Sequence, residues 1–72
     1  MNIDRKMVQY IKSVYRNGER VICYGMQDPY APIQYGMTGT VTSVDDIGTI
    51  HIRWDNGRTL GIIYGVDNFA KI

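Results

Sequence analysis

Residues 36–65 constrain the fold of this 72-residue chain more than any other stretch, because three strand-like runs follow one another there. The middle run alternates strictly: Ile50, Ile52 and Trp54 fall on one face, and polar or charged residues fall on the other. Alternation with a period of two is typical of a strand that is buried on one side. The stretch therefore predicts a three-stranded antiparallel meander with one apolar face.

The two turns of this meander are marked by residues that favour turns. Residues 45–48 read Asp-Asp-Ile-Gly, and residues 55–58 read Asp-Asn-Gly-Arg. Carboxylate and amide side chains hydrogen-bond to nearby backbone amides, and glycine accepts positive φ angles. The pair formed by Asn56 and Gly57 further predicts a type I′ turn, in which both central residues have positive φ.

Two further runs extend the meander to five strands. Residues 19–26 form an apolar first strand, residues 69–72 form a short last strand, and a loop with two prolines, residues 27–35, follows the first strand. Five strands with a long first loop are the plan of a small barrel. We predict a mainly β protein, with an SH3-like five-stranded barrel over residues 18–72 and an amphipathic N-terminal α-helix over residues 1–17.

The helix is predicted from an apolar stripe at helical spacing. The members of the stripe are Ile3, Met7, Val8, Ile11, Val14 and Tyr15. Asn2 is a suitable N-cap and Gly18 a suitable stop. Because so short a helix is marginal alone, we expect its stripe to plug one end or face of the barrel and to cover Ile22 and Tyr24. The alternative is a helix that binds a partner or a second copy of the chain.

The size and composition of the chain argue against an enzyme. A chain of this length buries only about 60% of its unfolded surface, which leaves no second domain to close over a substrate. The only histidine, His51, has no recognisable nucleophile beside it, and the only cysteine, Cys23, can form neither an internal disulfide nor a zinc site alone. We therefore expect no catalysis, no cofactor and no metal.

The compartment is inferred from what the chain contains. Its uncharged stretch near the start, residues 7–11, is far too short for a signal sequence or a membrane span. A single cysteine agrees with a reducing environment. We expect a cytoplasmic protein without a membrane partner, present as a monomer or a weak homodimer.

Several short motifs resemble an uncharacterised family of small SH3-like domains. The motifs are residues 18–21 (GERV), 28–32 (DPYAP), 36–41 (GMTGTV), 45–48 (DDIG), 54–57 (WDNG) and 65–69 (GVDNF). The resemblance spans residues 18–72 and leaves the helix outside. It implies an SH3-like fold and a setting in Firmicutes, their phages and mobile elements. Because no function is established for that family, the resemblance transfers no site residue.

A protein or peptide partner is the first functional prediction, because tyrosine is abundant and suits surfaces that are half apolar and half polar. In an SH3-like barrel, the long first loop and aromatic residues at strand ends form one edge, where a groove could bind polyproline. The predicted partner-binding residues are Asp28, Tyr30, Tyr35, Trp54, Asp55 and Tyr64. Trp54 also fits a core position, since it is in phase with Ile50 and Ile52.

Nucleic acid is the alternative partner, because small barrels can hold single strands on aromatic platforms with a basic margin. Residues 1–20 carry five basic and two acidic side chains, so the front of the chain is basic. The candidate residues are Lys6, Lys12, Arg16, Arg53, Arg58 and Lys71. A third prediction is an inhibitor from a phage or mobile element that blocks a host defence enzyme.

Overall fold

The computed structural model describes residues 4–25 and 33–72, which form one helix and five strands. The elements, in chain order, are α1 (Arg5–Val14), β1 (Arg20–Gly25), β2 (Thr38–Val44), β3 (Thr49–Trp54), β4 (Thr59–Ile63) and β5 (Asn68–Lys71). The predicted meander is β2, β3 and β4, and the predicted first and last strands are β1 and β5. The prediction of a mainly β, SH3-like barrel with an N-terminal helix is confirmed.

The strands form one antiparallel sheet in the order β4-β3-β2-β1-β5. The chain order inside the meander is therefore kept, and β5 returns to the free edge of β1. The register pairs Val21 with Gly39, and Gly39 in turn with Trp54. Curling this sheet brings the apolar residues of all five strands to one side.

The core fills the inside of the curled sheet. Its buried members are Ile11, Val21, Cys23, Ile33, Val41, Ile50, Ile52, Trp54 and Ile62. The alternation predicted for β3 is confirmed, because Ile50, Ile52 and Trp54 are buried while the residues between them are exposed. Burial of Cys23 makes it a small core residue, as its place in the first strand suggests.

Both predicted turns form, but the second one has a different geometry. At the first turn, Asp45 Oδ1 accepts hydrogen bonds from the amides of Ile47 (3.1 Å) and Thr49 (2.9 Å). At the second, Gly57 has a positive φ of 89°, whereas Asn56 does not have a positive φ. The type I′ prediction is therefore wrong. The Asn56 side chain instead accepts a hydrogen bond from the Arg58 amide, which stabilises the turn without a positive φ at Asn56.

Helix α1 closes the barrel at the end that carries the β2–β3 turn. Asp4 caps it by accepting from the Lys6 amide at 2.9 Å, and the predicted cap Asn2 lies outside the described residues. Ile11 enters the core, and the turn glycine Gly48 lies directly beneath it, as its ideal Cβ would be 3.4 Å from Ile11 Cδ1. The predicted plug is confirmed.

The predicted cover over Tyr24 is wrong, while Ile22 is half-buried. Tyr24 is 44% exposed, and its ring lies 5.6 Å from that of Tyr35. The C-cap residue of α1, Tyr15, instead contacts the other side of the molecule, with its ring 5.3 Å from that of Phe69 and 6.4 Å from that of Tyr64. Since Phe69 belongs to β5 and Tyr64 follows β4, the helix bridges the two free edges of the sheet.

Candidate functional site

The outer face of the sheet, opposite the core, carries a row of polar and basic side chains. Its central row runs straight across four strands, since Arg20 pairs with Thr40, Thr40 with Arg53, and Arg53 with Thr59. These side chains alternate with buried neighbours along each strand and therefore point outward. The row places two guanidinium groups and two hydroxyl groups on one surface.

Arg20 is held in a cluster that we call the arginine cluster, formed by Arg20, Thr38, Thr40 and Asp55. The guanidinium donates to both carboxylate oxygens of Asp55, at 2.8 and 2.6 Å. It also donates to the hydroxyls of Thr40 at 2.9 Å and Thr38 at 3.2 Å. The Thr38 hydroxyl donates in turn to Asp55 Oδ2. The centre of the cluster is thus a bidentate ion pair between the Arg20 guanidinium and the Asp55 carboxylate.

The charges of this cluster stabilise each other. The hydrogen bond from Arg20, and then the one from Thr38, hold the pKa of Asp55 well below its usual range. The bond to Asp55 raises the pKa of Arg20 above its usual value. Both side chains remain partly exposed, at 41% for Arg20 and 44% for Asp55. The pair is therefore ionised at neutral pH and open to solvent.

Arg53 supplies positive charge to the outer face, and no carboxylate of the described residues pairs with it. Within residues 4–25 and 33–72, neither Arg53 nor Arg58 forms an ion pair, and both are exposed. Arg58 lies in the turn between β3 and β4 and so borders this face. Two of the six predicted nucleic-acid residues are therefore placed near one another.

The other four predicted basic residues lie on or beside α1 and are mostly engaged there. Lys12 pairs with Asp46 at 2.9 Å, and Lys71 pairs with Glu19 at 2.7 Å. Arg16 donates to the Ser13 carbonyl oxygen at 3.2 Å. Lys6 is exposed on the first turn of the helix. The structure does not join these residues to Arg53 in one basic surface.

Two tyrosines extend the outer face beyond the arginine cluster. Tyr24 lies on β1, and Tyr35 lies just before β2, where the Gly36 amide donates to the Cys23 carbonyl at 2.7 Å. Tyr35 is 76% exposed, and the two rings are tilted by 52°. Exposed aromatic faces of this kind are suited to stacking on planar groups.

The described members of the predicted aromatic groove, Tyr35, Trp54 and Tyr64, are not brought together. Trp54 is buried, and its indole Nε1 donates to the Leu60 carbonyl at 3.1 Å, so it is a core residue. Tyr64 lies beside α1, with its ring 6.3 Å from that of Tyr10, and not beside Tyr35. Trp54 is unavailable to a partner because it lies on the same face of β3 as Ile50 and Ile52, which points into the core. Two other residues predicted to bind a partner, Asp28 and Tyr30, lie outside the described residues.

The surroundings of Tyr64 are an apolar groove between α1 and the end of β4. The groove has a volume of about 440 Å³. Its lining includes Met7, Ile11, Ile47, Ile63, Tyr64 and Val66. Several of these side chains are exposed, among them Ile47 and Val66. The groove lies at the helix-capped end of the barrel, away from Tyr24 and Tyr35.

The histidine is on the outer face as well. His51 Nε2 lies 2.9 Å from Asp45 Oδ2, and both side chains are partly exposed. Within the described residues, no group of three His, Cys, Asp or Glu side chains is placed to hold a metal ion. In the same part of the chain, no helix has the length and hydropathy that crossing a bilayer requires.

The fold and its outer face define a small SH3-like β-barrel domain with an integral N-terminal helix. The chain belongs to a family described as a domain of unknown function, DUF4314, whose model matches residues 4–72. The match includes α1, which the resemblance drawn from short motifs had left outside. None of the curated proteins matches the chain.

Solved structures of Pif1 contain a similar segment. The unliganded Pif1 from Bacteroides sp is 39% identical over 64% of this chain, with a TM-score of 0.54. A structure concerned with DNA unwinding at forked dsDNA by two coordinating Pif1 helicases, and the Bacteroides sp Pif1 in complex with ADP-AlF4, give the same three values. The chain corresponds to only 14%, 11% and 10% of those three chains.

Sequence reasoning missed Arg20, Thr38, Thr40 and Tyr24 as outer-face residues. In the sequence, Arg20 is only one of five basic residues within positions 1–20. The alternation of β1 and β2 could have placed all four on one face, since polar or exposed residues occupy every second position there. The register that joins them was not available from the sequence.

Proposed function

We propose that this chain is a non-enzymatic nucleic-acid-binding domain that holds a single strand on the outer face of its sheet. The observation that carries the proposal is the 39% identical segment in Pif1, a helicase described in connection with DNA unwinding. At that identity the likeness extends beyond fold to sequence, while the remainder of the helicase has no counterpart in this chain.

The chemistry of the outer face supports this proposal. Arg53 offers a guanidinium without a carboxylate partner among the described residues, and Thr40 and Thr59 beside it offer hydroxyls to phosphate or sugar oxygens. Tyr24 and Tyr35 offer ring faces to unstacked bases. A sheet surface with aromatic and basic side chains suits a splayed single strand better than a duplex, whose bases are already stacked.

The number of charges sets the expected strength of binding. The net charge of the chain is only +1, and within the described residues three basic side chains, Lys12, Arg20 and Lys71, are paired with carboxylates. Each phosphate contact to a single strand contributes a slope of about −0.7 in log affinity against log salt concentration. With one to three contacts, we expect a Kd on the order of 10⁻⁵ M at physiological salt and a shallow salt dependence.

The test is binding of fluorescently labelled single-stranded DNA at low salt, measured by anisotropy. We expect Arg53→Ala to weaken binding about threefold to tenfold, because a phosphate contact is lost. We expect Tyr35→Ala to weaken it about tenfold, because a stacking contact is lost. Neither side chain is part of the core, so both variants should fold.

Lys6→Ala is the matched control for Arg53→Ala. It removes the same charge from an exposed position on α1, remote from the outer face. An equal loss in both variants would show that only net charge matters and would contradict the assignment of the face. Equal affinity for a duplex and a single strand would contradict the proposed preference for single-stranded nucleic acid.

Protein binding is the second candidate, favoured by the 76% exposure of Tyr35. The same exposure would suit a peptide partner, including a host enzyme that the chain inhibits. A pull-down with wild type and Tyr35→Ala, each with and without nuclease, separates the two. A partner that survives nuclease treatment and is lost in the variant would favour protein binding, and capture abolished by nuclease would favour the nucleic-acid proposal.

A further inference from the structure

The arginine cluster has the form of an oxyanion site that is already occupied. The Thr40 hydroxyl accepts a hydrogen bond from the Arg20 guanidinium and helps to orient it. Three donor groups converge on one place: two guanidinium nitrogens of Arg20 and the hydroxyl of Thr38. The group they hold is the carboxylate of Asp55, which comes from a residue 35 positions further along the chain. A guanidinium fork binds phosphate in the same bidentate manner as carboxylate.

We propose that Asp55 occupies the place of a strand phosphate and limits the affinity of the outer face for nucleic acid. This inference rests on the proposed function. When a strand binds, a phosphate oxygen pair replaces the Asp55 carboxylate on Arg20, and the carboxylate turns to solvent. Arg20 is then the second cation of the face, in the same cross-strand row as Arg53.

Three features of the cluster make the exchange feasible. The Arg20 and Asp55 side chains are both more than one third exposed, so a ligand can reach the guanidinium and water can receive the carboxylate. Ion pairs at such exposed positions stabilise a fold only slightly. The backbone of Asp55 is held separately, because its amide donates to the Thr38 carbonyl at 3.0 Å. The side chain can therefore leave without opening the sheet.

A purely structural role predicts different behaviour. In that case the pair between Arg20 and Asp55 only ties β1 to the end of β3 across β2. Removing the carboxylate would then lower stability and leave the affinity for nucleic acid unchanged. Measurements of affinity and stability on the same variants distinguish the two roles.

The experiment compares Asp55→Asn with Asp46→Asn in binding to a labelled single-stranded oligothymidine. Both variants gain one unit of charge, but Asp46→Asn frees Lys12 on α1, away from the outer face. We expect Asp55→Asn to bind about threefold to tenfold more tightly than wild type, because no carboxylate has to be displaced from Arg20. We expect Asp46→Asn to stay within about twofold of wild type. Adding Arg20→Gln to Asp55→Asn should abolish the gain.

Other outcomes overturn the inference. Equal gains in Asp55→Asn and Asp46→Asn would show a net-charge effect, and a folded Asp55→Asn with unchanged affinity would show a structural role. In both cases the wild type still binds, so the proposed function stands. If wild type and all variants fail to bind, the inference and the proposed function fall together.

A measurement on wild type keeps the test independent of how well Asp55→Asn folds. Titration of ¹⁵N-labelled protein with the oligonucleotide should shift the Arg20 Nε–H signal and the amides of Thr38 and Asp55. Binding that shifts the Tyr35 and Arg53 signals but leaves the Arg20 side chain unmoved would overturn the exchange. Thermal melts of each variant establish that it is folded at the assay temperature.

Discussion

Single residues explain why Trp54 is a core residue instead of a binding residue. Gly39 lies opposite Trp54 in the ladder between β2 and β3, and it has no side chain to fill that place. A Cβ at Gly39 would be 2.6 Å from Ile52 Cγ2 and 2.9 Å from Trp54 Cε3. The glycine therefore makes room for the indole, which packs inward over it.

Gly39→Ala is expected to destabilise the protein by about 1–3 kcal/mol, because the new methyl group overpacks a closed core. Urea denaturation followed by tryptophan fluorescence measures this free energy, and Trp54 is the single reporter. Ser43→Ala on the same strand is the control, since Ser43 is exposed. Equal midpoints for Gly39→Ala and wild type would contradict the packing described here.

Asp45 links the first turn of the meander to acid stability. Partial desolvation raises the pKa of Asp45, but hydrogen bonds from His51 and from the Thr49 and Ile47 amides lower it more, so the net pKa lies below the usual 3.8. A carboxyl with a depressed pKa stabilises the folded state above its unfolded pKa. That contribution is lost as pH falls through the folded pKa.

Asp45→Asn should therefore be less stable than wild type at neutral pH, with the difference shrinking below about pH 4. Thermal melts over a pH series in constant salt give both curves. Curves for the two proteins that stay parallel through the acid range would exclude the proposed contribution of Asp45.

At the scale of elements, α1 is part of the barrel core and not an appendage. Ile11 is only 3% exposed and belongs to the same buried cluster as Val21, Ile50 and Ile62. The polar anchors of the helix reach two separate places: Lys12 pairs with Asp46 in the first turn of the meander, while Lys71 of β5 donates to the Val14 carbonyl at 2.9 Å. The family match from residue 4 onward agrees with this integration.

Ile11→Ala should cost about 2–5 kcal/mol, as truncation of a fully buried isoleucine does. Because a domain of this size has only a few kcal/mol of stability, most of the variant should be unfolded at room temperature. Circular dichroism and urea titration measure the loss. Gln9→Ala, at an exposed position of the same helix, should remain close to wild type. A small loss for Ile11→Ala would mean that the helix is dispensable.

At the scale of the whole molecule, the sheet has two free edges, β4 and β5, and the helix contacts residues at both. One end of the barrel is therefore covered by α1, and the outer face of the sheet is not covered by any element of the described residues. The apolar groove lies at the helix end, and the exposed pair of Tyr24 and Tyr35 lies on the other side. Among residues 4–25 and 33–72, no element packs over the row that holds Arg20 and Arg53.

The sequence alone determined the strands and turns of this protein. The run around Ile50 to Trp54 alternates with a period of two, and Asp45 and Gly57 occur where turns need them, so neighbouring residues are sufficient to specify these elements. Short-range chemistry also predicted that Ile11 would pack on the barrel. These features depend on residues that are close in the chain.

Only the tertiary structure decided which side chains meet. Asp55 reaches Arg20 across 35 positions of the chain, and Tyr64 is separated from Tyr35 because β4 ends beside α1. Both results follow from strand register and sheet order, which join residues distant in sequence. Because a shift of one residue would turn every side chain of a strand to the opposite face, periodicity can predict a strand but not its partners.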